Sequence, residues 1–141
     1  MKRISLISTL LFSILSMAQS EHNTIRETLQ RYLDGSSHND TALIESAFYD
    51  DADLYLSKEG QEIWILSPKA YADLFKNRTK GEFNGREGKI LAIDQSHDIA
   101  TAKAEIRIPS RSLHFIDIFL LKKLQGEWKI ISKAATLLPA Q

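Results

Sequence analysis

Asp117 stands out in this sequence because it lies within a long run of apolar residues. In a strand, every second side chain points to the same face, so Asp117 shares its face with Phe115 and Phe119. An ionised carboxylate is costly to bury among apolar groups. Two interpretations follow. The carboxyl has a raised pKa and donates a hydrogen bond into a pocket, or it is a structural aspartate bonded to a helix end or a backbone amide.

Tyr32 is the second candidate, and it recurs with Leu29 and Leu33 at helical spacing. A tyrosine on such an apolar stripe is either a core residue whose hydroxyl reaches outward or a polar group in a pocket. Because this stripe must point at a sheet, we expect the hydroxyl of Tyr32 and the carboxyl of Asp117 to face one cavity, with Leu56 in its wall.

Two tryptophans are candidates for pocket walls, because aromatic walls suit flat ligands. Ordinary packing in the core or in an interface is the alternative for each of them. The predicted pocket residues are Tyr32, Leu56, Trp64, Phe115, Asp117, Phe119 and Trp128.

Other chemistries have little support in the sequence. The chain has no cysteine, which excludes disulfides, thiolate nucleophiles and cysteine–zinc sites. His22, His38, His97 and His114 do not have metal-ligand spacing, and there is no Gly-x-Ser-x-Gly nucleophile motif. We therefore predict neither a metal site nor a cofactor. Eighteen Lys and Arg balance eighteen Asp and Glu, so no surface for nucleic acid is indicated.

The first twenty residues have the pattern of a signal peptide. Lys2 and Arg3 precede an apolar run over 4–17, and the small residues around Ala18 fit the cleavage rule. The run is shorter than the roughly 20 residues of a comfortable membrane span. We predict a leader over 1–20 that is removed on export to the periplasm or the medium. A single domain over 21–141 remains, without a membrane contact.

Periodicity and capping signals predict three helices and a series of strands that position these residues. Asp40 caps the second helix, which has Phe48 in its buried face, and Ser67-Pro68 opens the third, which buries Leu74. The helices are expected over 24–36, in a short segment after Asp40 and over 68–77, and the strands over 54–57, 62–66, 90–93, 99–108, 113–122 and 127–136.

This order of elements predicts an α+β fold in which N-terminal helices pack on a curved, mostly antiparallel sheet. The strand over 113–122 is apolar on both faces, and the helices can cover only one of them. Its other face, with Ile116, Ile118 and Leu120, is expected to contact a second copy of the chain. We therefore predict a homodimer through the sheet.

The chain resembles the nuclear-transport-factor-2-like superfamily, whose cone-shaped fold is also called cystatin-like, and within it the putative lumazine-binding family most closely. The resemblance covers residues 24–136. Its motifs are Tyr32-Leu33-Asp34-Gly35, Ala47-Phe48-Tyr49-Asp50-Asp51-Ala52, Phe115-Ile116-Asp117, Leu120-Leu121-Lys122 and the ending from Gly126 to Lys133.

A more distant similarity, from Gln30 to Ala52, is to the steroid isomerases of the same superfamily. It implies that Tyr32 and Asp117 correspond to the two groups of an oxyanion hole. The general base of those enzymes lies four residues beyond the Asp-Asp-Ala motif, where this chain has Leu56. A leucine cannot abstract a proton.

Three functions remain open at this level. The first is an exported module that binds a small molecule of unknown identity in a mostly apolar pocket. The second is an isomerase-like or dehydratase-like enzyme in which Tyr32 and Asp117 donate hydrogen bonds. The third is a dimeric interaction module with a vestigial pocket.

Overall fold

A computed structural model describes the backbone of residues 4–139 and the side chains of residues 19–139. The predicted leader therefore lies mostly outside the residues whose side chains are described, and its removal stays a prediction. In the described part of the chain, no helix is both long enough and apolar enough to cross a membrane.

Three helices precede or interrupt the first strands, and the remaining strands follow in sequence. The helices are α1 (Ile4–Ser37), α2 (Thr41–Ala47) and α3 (Pro68–Ala72), with 3₁₀ turns at Asp73–Phe75 and Pro109–Arg111. The strands are β1 (Phe48–Lys58), β2 (Gln61–Leu66), β3 (Glu87–Ser96), β4 (Ile99–Ile108), β5 (Leu113–Leu124) and β6 (Glu127–Leu137).

The six strands form one open sheet in the order β2-β1-β6-β5-β4-β3. Every neighbouring pair is antiparallel except β1 and β6, which run parallel. The helices cover one face of this sheet, and the buried core lies between the two layers. The predicted α+β architecture with a mostly antiparallel sheet is confirmed.

Local signals account for the helix starts. The side chain of Asp40 accepts a hydrogen bond from the backbone N–H of Leu43 at 3.1 Å and so caps α2. Ser67 caps α3 in the same way, accepting from the N–H of Ala70 at 3.2 Å, and Pro68 occupies the first turn, where its missing N–H costs nothing.

Three predictions about the elements were wrong. α1 begins well before residue 24. Phe48 caps the end of α2 and is the first residue of β1. Its buried side chain therefore belongs to the sheet and not to the helix. Leu74 is 47% exposed, because the regular helix stops at Ala72 and a 3₁₀ turn follows, which rotates this side chain away from the core.

Candidate functional site

Asp117 lies on the face of β5 that the helices cover, as the alternation of the strand predicted. Its partners across the sheet are Ala104 of β4 and Ala135 of β6. These small side chains leave space beside the carboxyl. Lys133, two residues before Ala135 on β6, therefore reaches Asp117 diagonally across the two strands.

Asp117 and Lys133 form a buried ion pair. The ammonium of Lys133 donates a hydrogen bond to Oδ2 of Asp117 at 2.7 Å, and both side chains are at most 2% exposed. The hydroxyl of Tyr32 donates to the same oxygen at 2.9 Å. Asp117 was predicted to donate a hydrogen bond into a pocket, whereas its Oδ2 accepts two hydrogen bonds in the structure. The donors are an ammonium and a phenol hydroxyl, which both favour negative charge on this oxygen.

Tyr32 joins this pair to two further side chains. Its oxygen accepts a hydrogen bond from the guanidinium of Arg86 at 3.1 Å and lies 3.2 Å from the hydroxyl of Tyr71. Because the single proton of Tyr32 goes to Asp117, Tyr71 is the donor between the two tyrosines. Burial, and next the negative charge of Asp117, raise the pKa of Tyr32 well above its ordinary value. This hydroxyl therefore remains a donor at neutral pH.

Arg86 reaches the cluster from the segment just before β3. Its Nε donates to the hydroxyl of Ser36 at 3.2 Å, which ties this segment to the end of α1. Burial lowers the pKa of Arg86, but its electrostatic interactions with Tyr71, Tyr32 and Asp117 and its hydrogen bond to Tyr32 outweigh burial, and the pKa is raised overall. The guanidinium is charged, so the cluster holds two cations and one carboxylate.

A cavity of about 120 Å³ opens beside the ion pair. Asp117, Lys133, Tyr71 and Arg86 supply its polar wall. The rest of its lining is mainly apolar and includes Leu56, Trp64, Leu74, Phe115 and Ala135. The arrangement therefore presents a small polar centre at the base of an apolar recess, a combination typical of small-molecule sites.

Four of the seven predicted pocket residues line this cavity, namely Leu56, Trp64, Phe115 and Asp117. Tyr32 is fully buried behind it and contacts the cavity only through its hydrogen-bond partners. The ring of Phe119 packs edge-on against Tyr32, with the ring centres 5.5 Å apart, and is not part of the lining either.

Trp128 lies elsewhere and does not line this cavity. Its indole Nε1 donates to Glu21 of α1 at 2.9 Å, and Lys123 donates to the same carboxylate at 2.6 Å. The tryptophan therefore anchors α1 to the end of the sheet. A larger groove of about 780 Å³, which includes Tyr49 and Lys129 in its lining, is also separate from the cluster.

Sequence reasoning missed Lys133, Arg86 and Tyr71. One signal was present, because a buried aspartate requires a partner, and a lysine in the neighbouring strand is the simplest one. Arg86 lies in a predicted loop, where no periodicity indicates which way a side chain points.

Three crystal structures illustrate what the fold is similar to. A nuclear-transport-factor-2-like protein of unknown function from Shewanella baltica is 23% identical, with a TM-score of 0.74 over 85% of this chain and 95% of that one. Another from Methylobacillus flagellatus is 25% identical, with a TM-score of 0.73 over 85% and 94%. A ketosteroid isomerase-like protein from Erwinia carotovora is 16% identical, with a TM-score of 0.61 over 83% and 95%.

No curated protein matches the sequence. The model of the family described as "Putative lumazine-binding" matches residues 20–134, which is most of the chain. The match includes β1, β5 and most of β6, which carry Leu56, Asp117 and Lys133. The chain therefore belongs to the putative lumazine-binding family and has the nuclear-transport-factor-2-like fold.

Proposed function

We propose that this protein binds a small organic molecule in the cavity between α3 and the sheet. The observation that carries the proposal is the ion pair of Asp117 and Lys133, which is buried yet borders a recess with apolar walls. The family name points in the same direction.

The chemistry of the cluster indicates what the ligand offers to it. Lys133 has three N–H donors, and one of them is used by Asp117. A second donor is available to an oxygen placed in the cavity. Trp64 and Phe115 provide flat walls for an apolar or aromatic body. The ligand is therefore a compact molecule with a hydrogen-bond acceptor at one end.

Blocking the cavity tests the proposal. Ala135 lines the cavity, whereas its neighbour Ala134 is exposed on the other face of the same strand. Ala135→Leu should displace any small molecule that co-purifies with the mature protein, and Ala134→Leu should retain it. Native mass spectrometry reads out both variants. Equal recovery from the two, or a wild-type protein that repeatedly carries nothing, contradicts the proposal.

We also propose that the protein works outside the cytoplasm after removal of residues 1–20. The support is the positive start at Lys2 and Arg3, the short apolar run and the small residues around Ala18. N-terminal sequencing of the exported protein should find a start between residues 19 and 21. Retention of Met1, with the protein in the membrane fraction, contradicts it.

The enzyme alternative has less support. It rests on the contact between Tyr32 and Asp117, which the resemblance to steroid isomerases implies. However, Leu56 lines the cavity at the position of their general base, and Asp117 is the one carboxylate among the described lining residues. Since that carboxylate is paired with Lys133, binding is the better-supported function.

A dimer through the sheet is compatible with ligand binding, because the two features use opposite faces. The cavity lies on the face covered by the helices, and Ile118 lies on the other face at 46% exposure. We propose that a second copy of the chain covers this outer face. The third function, a dimeric interaction module with a vestigial pocket, shares this dimer with the proposed function and differs from it in having no bound ligand.

A further inference from the structure

A second cavity adjoins the first and has a different chemical character. Its volume is about 310 Å³, and Tyr71, Leu74 and Arg86 line both cavities. Together the two cavities fall in the range of about 300–1,000 Å³ that is usual for ligand pockets. The exposed Arg78 and Arg111 line the second cavity, which we call the outer cavity, whereas the buried Asp117 and Lys133 line the first, which we call the inner cavity.

Three arginines from three separate segments line this outer cavity, namely Arg78, Arg86 and Arg111. Arg78 follows the 3₁₀ turn after α3, Arg86 precedes β3, and Arg111 ends the turn between β4 and β5. The local sequence does not bring them together, because Arg86 lies eight positions after Arg78 and Arg111 lies 25 positions after Arg86. The tertiary fold brings the three arginines together around one cavity.

Asp117 acts electrostatically on Arg86, but the arginines of this cluster form no direct ion pair in the part of the chain whose side chains are described. Among the residues whose side chains are described, no carboxylate oxygen lies within 4.0 Å, the limit for an ion pair, of a nitrogen of Arg78, Arg86 or Arg111. The described lining of the outer cavity contains no acidic side chain, and Asn84 and Ser110 are its other polar members. The chain as a whole has no net positive charge, so the cluster is a local feature.

We infer that the ligand is an organic anion, whose carboxylate or phosphate is held by Arg78, Arg86 and Arg111 while its apolar body enters the inner cavity. Planar guanidinium groups bind such oxyanions through paired hydrogen bonds. Arg86 contacts both cavities, so it links the anionic group to the polar centre at Lys133. This inference rests on the proposed function and adds the charge of the ligand and the residues that hold its anionic group.

The test uses two flat probes of nearly the same shape, the anion 2-naphthoate and its neutral amide, 2-naphthamide. Each is titrated calorimetrically at low ionic strength into the full mature protein. The variant Arg78→Gln/Arg111→Gln removes the two exposed guanidinium groups without disturbing the buried cluster. The matched control, Lys76→Gln/Lys89→Gln, removes the same charge from exposed positions that line neither cavity.

We expect the wild type to prefer naphthoate, and the arginine variant to bind it about fivefold more weakly, the summed effect of two partly screened ion pairs. Binding of naphthamide should not change, and the lysine control should behave as the wild type. Equal binding of the two probes, or an equal loss of naphthoate binding in the control, overturns the inference and leaves the proposed function standing. A wild type that binds neither probe also overturns the inference, and native mass spectrometry of the Ala135→Leu and Ala134→Leu variants then decides the proposed function separately.

Discussion

At the scale of single residues, the site depends on a charge pair whose two members stabilise each other. Taking an ammonium and a carboxylate out of water costs several kcal/mol for each ion, and their mutual attraction offsets this cost. Lys133 and Asp117 also receive help from Tyr32, whose hydroxyl donates to the same carboxylate oxygen. Such an arrangement tolerates the loss of neither charge alone.

Removing one charge of the pair should destabilise the domain strongly. Lys133→Met leaves the carboxylate of Asp117 buried without its counter-ion and should lower the free energy of unfolding by about 3–5 kcal/mol. Asp117→Leu, which leaves the ammonium alone, should cost a similar amount. The double variant should recover most of the loss. Urea denaturation of the four proteins gives the coupling energy, and strictly additive single losses would contradict a coupled pair.

Tyr32→Phe should lower the free energy of unfolding by about 1–3 kcal/mol, because it removes a buried donor from the carboxylate of Asp117. The pKa of Tyr32 is raised in the folded state, so its contribution is fully present below the unfolded pKa and is lost as pH rises through the folded pKa. The difference between wild type and variant should therefore be constant near neutral pH and shrink above about pH 10. Tyr49→Phe, at an exposed position, is the control.

At the scale of elements, the close contact between α1 and α2 holds the helical layer over the site. Gly35, in the last turn of α1, faces the start of α2. A Cβ at this position would lie 2.8 Å from the backbone nitrogen of Ile44 and 3.0 Å from the carbonyl oxygen of Asp40. Backbone atoms cannot yield as a flexible side chain would, so the approach of the two helices requires glycine.

Gly35→Ala separates two opposing effects. Helix propensity alone predicts a gain of about 0.5–1 kcal/mol. The clash with α2 predicts a loss of about 1–3 kcal/mol, and we expect the clash to prevail. Thermal and urea unfolding measure the sign directly. Glu27→Ala, at an exposed position of the same helix, controls for propensity and should change stability little. A stabilised Gly35→Ala variant would show that the helices are not tightly packed here.

At the scale of the whole molecule, the outer face of the sheet carries an apolar row across four strands. One line of paired residues runs from Ile65 through Tyr55 and Ala134 to Ile118. Ile65 is 51% exposed and Ile118 is 46% exposed. A contiguous apolar stripe of this kind is typical of an interface, and its ends lie on strands that are far apart in sequence.

Ile65→Lys/Ile118→Lys should convert the predicted dimer into a monomer, because two ammonium groups would be buried in the interface. Light scattering at micromolar concentration measures the mass of each protein. Phe83→Lys, which places the same charge on an exposed apolar residue away from the sheet, should leave the dimer intact. A monomeric wild type contradicts the predicted dimer.

The sequence by itself determined the features that depend on short-range signals. The caps at Asp40 and Ser67 and the apolar periods predicted the helices and strands, and the alternation of β5 placed Asp117 under the helices. The same alternation brought Phe115 correctly to the cavity. These features are predictable because a cap or a period-2 pattern acts within a few residues of chain.

Only the tertiary structure decided which partner Asp117 receives. Along β6, simple alternation from Trp128 and Ile130 would turn Lys133 to the outer face. However, the pairing with β5 shifts between Leu120 and Leu121, which leaves Ile131 as an extra residue. This bulge reverses the faces beyond it and turns Lys133 inward. Register is fixed by contacts between distant strands, and the convergence of Arg78, Arg86 and Arg111 depends on such contacts too. A periodicity read along one strand therefore cannot reveal either feature.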